Sequence, residues 1–176
     1  MKYLSVLIIG IVFISCSNGV EGFRDLKIGS SLEKAKASSI CPSPRKNELV
    51  TNFDAYDCGE VQIETSKYPI MIFLNDDKVI RIAINLSSGP NKDLALDFYD
   101  ALSGQYGEAS KSKIAFKDEM YPFTVSLSNP IEAESIVSWK NNTVKLWINN
   151  NYTALFYESE DFSNILKSIN SRTKNL

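Results

Sequence analysis

The alternation of apolar and polar positions changes rhythm several times along the 176 residues, and each rhythm marks an element. Ser30-Ser31-Leu32-Glu33 has capping-box form, a hydroxyl three positions before a carboxylate, and predicts a short helix from there to about Ser39. Three strand-like runs follow, Glu60 to Thr65, Ile70 to Leu74 and Val79 to Leu86, the last two joined by the turn-forming Asn75-Asp76-Asp77-Lys78. Pro90-Asn91-Lys92-Asp93 then opens a second helix. Ala95, Phe98, Tyr99, Leu102 and Tyr106 share one face of it and Asp93, Asp97 and Asp100 the other, with Gly104 and Gly107 marking its end.

The second half reads as a meander of strands: Lys113 to Lys117, Tyr121 to Leu127, Glu134 to Lys140, Thr143 to Asn149 and Tyr152 to Glu158. A last helix is capped by Ser159 and has Phe162, Ile165, Leu166 and Ile169 as its apolar stripe. The expected fold class is α+β, with antiparallel sheet in the order helix, three strands, helix, about five strands, helix.

Turn chemistry carries the pattern to a register. Asn141-Asn142 suits a two-residue hairpin turn, because asparagine tolerates the positive φ such turns demand. That turn would pair Trp139 with Val144, Val137 with Leu146 and Ser135 with Ile148 on the core face. Carried through Asn150-Asn151, the register puts Ile136, Lys145, Trp147, Tyr152 and Phe156 together on the opposite face. An aromatic cluster with polar neighbours is a candidate interaction surface, since large rigid rings bury much area at little entropic cost. Cover by a helix, or a one-residue slip of register, would instead make the cluster core.

Composition narrows the chemistry. There is no histidine, which removes the usual base of a serine or cysteine triad and the commonest metal ligand, so no cofactor and no metal site is expected. Asp54, Asp57 and Glu60 could supply a carboxylate pair for glycoside cleavage, but they read better as solvated loop residues, as do the helix aspartates. Basic residues are scattered among carboxylates, against nucleic acid as a partner, and Lys167, Arg172 and Lys174 suit a frayed helix end. Cys41 and Cys58 flank the polar, proline-containing run Pro42-Ser43-Pro44-Arg45-Lys46-Asn47-Glu48 and are expected to form a disulfide in an oxidising compartment.

The first sixteen residues resemble the signal sequence of a bacterial lipoprotein: Lys2, the apolar run Leu4 to Ile14, and Phe13-Ile14-Ser15-Cys16, similar to a lipobox except that Phe13 stands where leucine is usual. The run is about half the roughly 20 residues that cross a bilayer as a helix, so it reads as a removable signal. The resemblance implies cleavage of residues 1–15, lipidation of Cys16, and a tether to residue 22 that holds a single domain, 23–176, near its membrane. Cleavage removes only Lys2 from the charged set, leaving 18 basic against 21 acidic residues, a formal charge of about −3. Ser17 lacks the aspartate of inner-membrane retention, so the resemblance implies the periplasmic face of the outer membrane. A plain secretory signal, with Cys16 left as a thiol, stays open.

Phe23-Arg24-Asp25-Leu26-Lys27-Ile28-Gly29-Ser30-Ser31-Leu32-Glu33-Lys34-Ala35 resembles the segment that starts the first helix in the BamE (SmpA/OmlA) lipoproteins and the β-lactamase inhibitor proteins. Ala101-Leu102-Ser103-Gly104-Gln105-Tyr106-Gly107 resembles helix endings of small periplasmic domains. The chain departs from that pattern in lacking a clear second helix before the sheet and in carrying its cysteine loop there. The resemblance implies a non-catalytic module that presents a sheet to an envelope protein, as an assembly accessory or an inhibitor. A carrier of a small apolar ligand or lipid is the alternative, since cavity-lining and core residues look alike in sequence.

Overall fold

A computed structural model describes residues 21–50, 53–110, 135–148 and 151–173. The signal, Cys16 and the expected strands Lys113 to Lys117 and Tyr121 to Leu127 lie outside the described residues. What is described is α+β: three helices and a mainly antiparallel seven-stranded sheet, with a two-stranded ribbon beside it.

The ribbon is β1 (Gly22–Phe23) against β2 (Leu26–Lys27). Helix α1 (Leu32–Lys36) follows, capped by Ser31, whose hydroxyl accepts from the Lys34 amide. It is shorter than expected, because the chain leaves helical geometry after the Ala37 cap and Ser38 bonds back to the Ala35 carbonyl. The sheet then takes β3 (Arg45–Lys46), β4 (Asp54–Ile63), β5 (Ser66–Asn75) and β6 (Lys78–Ser87). Helix α2 (Lys92–Tyr106) crosses to β7 (Ser135–Trp139), β8 (Val144–Ile148) and β9 (Thr153–Glu158), and α3 (Phe162–Thr173) closes the chain.

Spatial order is β3-β4-β5-β6-β9-β8-β7, so the two halves of the chain join where β6 meets β9 antiparallel, with Arg81 opposite Glu158 and Ile84 opposite Leu155. Strand β4 is longer than the run that predicted it and includes Asp54, Asp57 and Cys58, residues expected in a loop. Its ladder shifts between Asp57 and Glu60, where Gly59 sits at φ 84°, a conformation an L side chain resists. The Cys41–Cys58 disulfide is formed, with Cα atoms 4.6 Å apart, and ties the segment after α1 to β4.

One face of the sheet is the core. Ile72, Ile82, Ile84, Leu146, Leu155, Val137, Trp139, Val144 and Ile148 are buried there with Ala95 and Leu102 of α2 and Ala35 of α1. Asn91 caps α2 by accepting from the Leu94 amide. The helix runs through Gly104 to Tyr106 and stops at Gly107, at φ 87°, so only the second of the two glycines marks the end. Burial pushes the Tyr157 phenol pKa up, with the neighbouring Tyr106 adding to the shift; Phe23 packs on the Tyr157 ring at 5.4 Å. No described helix is long and apolar enough to cross a membrane.

The described chain starts at the β5–β6 turn end of the sheet: Glu21 accepts from the Ile28 amide, and the Gly29 amide donates to the Val79 carbonyl. Strand β9 begins at the other end, beside Tyr152.

Candidate functional site

Opposite the core lies a second face built from the alternate residues of the same strands. The pairings Trp139↔Val144, Val137↔Leu146 and Ser135↔Ile148 place Ile136 against Trp147, and β9 places Trp147 against Ala154 and Lys145 against Phe156. The five residues singled out from the sequence are therefore neighbours. Trp147 lies edge-on to Tyr152 at 5.8 Å and to Phe156 at 5.7 Å. Ile136, Lys145, Trp147 and Tyr152 are half-buried, while Phe156 is only 6% exposed.

Part of that burial comes from α3, which packs on this face and not on the core. Its first residue, Phe162, is buried, lies over the Arg81 guanidinium at 3.8 Å and stacks with Phe53 at 6.0 Å. Arg81 is held between rings, with Phe156 at 4.6 Å and Phe73 at 5.8 Å. Ser159 does not cap this helix with its side chain; its carbonyl accepts from the Phe162 amide, and Asp161 supplies the carbonyl for Asn164 and Ile165.

Under the rings is a charged group of three. Glu158 is buried, with its carboxylate between Arg81 and Lys145: Oε1 accepts from Arg81 Nε at 2.8 Å and from Nη2, and Oε2 accepts from Lys145 Nζ at 2.5 Å. Two cations on one buried carboxylate leave a net positive charge of about one where solvent screening is weak.

Beside this group the face opens into a cleft of about 360 Å³. Ala83 and Ala154 line it with Met71, Phe73, Tyr152 and Phe156, polar Asn85 sits beside Ala154, and Arg81 and Asp57 are its charged residues. The Asp57 carboxylate accepts from the Asn47 side-chain amide at 3.3 Å. That volume falls in the range of small-molecule sites.

The carboxylates considered for glycoside chemistry do not converge. Asp54 is exposed and paired to Lys46 at 3.1 Å, Asp57 points to Asn47, and exposed Glu60 is set off from Asp57 by the β4 bulge. No group of three His, Cys, Asp or Glu side chains suited to a metal ion occurs among the described residues.

Sequence reasoning missed Arg81 and Glu158, and it gave Phe162 as part of a helix stripe without its place on this face. Arg81 and Glu158 are 77 residues apart, and the β6–β9 pairing that joins them has no turn signal. The available signal was chemical: each is a lone charge in or ending an otherwise apolar strand, and such charges need a partner.

Family comparison adds membership without a role. The chain belongs to a family described as "Uncharacterised protein", whose model matches residues 23–175. No curated protein and no solved structure matches the chain.

Proposed function

We propose that this chain is a lipid-anchored, non-catalytic binding module of the bacterial envelope, an assembly accessory or inhibitor that docks an envelope protein on its second sheet face. The observation that carries this reading is the cluster of Trp147, Tyr152 and Phe156 on that face, beside an open cleft. The anchor rests on the lipobox-like Phe13-Ile14-Ser15-Cys16, and the site is the periplasmic face of the outer membrane. Glu21 leaves the domain at the end of the sheet opposite Tyr152, so an anchored domain would hold the cluster away from its own bilayer. The docking face then reaches outward by about the 20 Å length of β9.

The anchor is tested by intact mass of the membrane fraction. The mature chain should start at Cys16 and carry acyl mass, and Cys16→Ser should release it; a Cys16→Ser chain that stays membrane-bound with unchanged mass refutes lipidation. The docking face is tested by Trp147→Ala, which should abolish partner capture while leaving most of the stability. A loss of several kcal/mol would identify Trp147 as core instead.

The cleft favours a second reading, a carrier of a small apolar ligand or lipid, because its walls are apolar and its volume suits one.

A further inference from the structure

We infer that the cleft on the second face binds a small amphiphile with a carboxylate head, the head lying at Arg81 and the apolar body along Ala83 and Ala154. The inference rests on the reading of this face as a binding surface and names what its cleft would hold. Three observations lead to it. Ala83, flanked by Met71 on β5 and Phe156 on β9, and Ala154, two residues from Phe156 and beside Asn85, are the small residues of the lining, so an apolar chain can lie over them without displacing a ring.

The charge at one end is positive and only partly used. Glu158 occupies Arg81 Nε and Nη2, Nη1 has no hydrogen-bond partner among the described residues, and Lys145 adds a second cation to the same carboxylate. Stacking between Phe162 and Phe156 fixes the guanidinium plane, so a ligand head meets donors already oriented. Asp57 lines the same cleft from β4, two strands from β6 and across Met71, and repels an anion, which places the head at Arg81 and not on the β4 side. A neutral apolar molecule would leave the surplus charge unanswered, and a cationic amphiphile would meet Arg81.

The test is calorimetry on the whole chain carrying Cys16→Ser, with decanoate, decanol and decylammonium as probes below their aggregation limits. Decanoate should bind at least about tenfold tighter than decanol, and decylammonium should not bind. Ala83→Trp, which fills the trough, should remove decanoate binding with thermal stability unchanged. Arg81→Gln should erase the preference for decanoate over decanol. If that variant does not fold, because Glu158 loses its main partner, Asp57→Asn decides: decanoate should tighten and decanol stay unchanged. Equal binding of decanoate and decanol, binding that survives Ala83→Trp, or no binding of either would each overturn the inference. Those failures leave the protein-partner reading standing, since it depends on capture through Trp147; loss of capture with decanoate bound would sink that reading alone.

Discussion

Phe162 lies over Arg81, ring centre to guanidinium carbon 3.8 Å, and this stack fastens α3 to the face of the sheet that α1 and α2 leave free. It joins a helix to the strand β6 rather than to the core. Phe162→Ala should therefore lower stability by about 3 to 5 kcal/mol, the range for a buried phenylalanine. Urea unfolding checks it. A cost under about 1 kcal/mol would show that α3 is not packed there.

Glu158 carries the opposite risk, because its removal strands two cations under the rings. Glu158→Gln keeps the shape but not the charge and should cost about 3 to 5 kcal/mol, the cost of breaking a buried ion pair. Adding Lys145→Met should return part of that loss by removing one of the stranded charges. A double-mutant cycle measures the recovery, and additivity of the two changes would refute their coupling.

The Cys41–Cys58 disulfide closes a loop with a sequence separation of 17. On the chain-entropy model, Cys41→Ser with Cys58→Ser should reduce stability by about 3 kcal/mol. The same pair should expose the segment between them to limited proteolysis, since β3 is a two-residue strand at the edge of the sheet. Unchanged denaturation midpoint and digestion pattern would contradict this.

Stability should also fall at alkaline pH. Burial raises the folded-state pKa of Tyr157 and, less, of Tyr106, above an unfolded value near 10. A raised folded value means the contribution is full below about pH 10 and is lost as pH climbs beyond it toward the folded value. Tyr157→Phe should flatten the decline. Urea midpoints between about pH 8 and pH 11 measure it, and equal slopes for the two proteins would contradict the assignment.

Local chemistry made much of this fold legible before the structure. Asn141 and Asn142 do adopt positive φ, at 54° and 64°, and from that turn the faces of β7 and β8 follow by alternation, while the turn expected at Asn150-Asn151, which carries the register on to β9, includes Asn150, outside the described residues. The aromatic neighbours of Trp147 were legible for the same reason. What joins β6 to β9 was not, because a pairing between distant strands leaves no turn to read; with it went Arg81 opposite Glu158 and the cleft beside them. The position of α3 was equally hidden. An amphipathic stripe at Phe162 shows that a helix packs, not which face of a sheet receives it.

A photo-cross-linking residue placed at position 147 of the whole membrane-anchored chain reads the docking face most directly, with the same residue at exposed Glu64 as control. Position 147 should give one discrete adduct that is lost with Tyr152→Ala, and position 64 should give none. No adduct at 147, or the same adducts from both positions, would contradict a binding module that works through the Trp147 face.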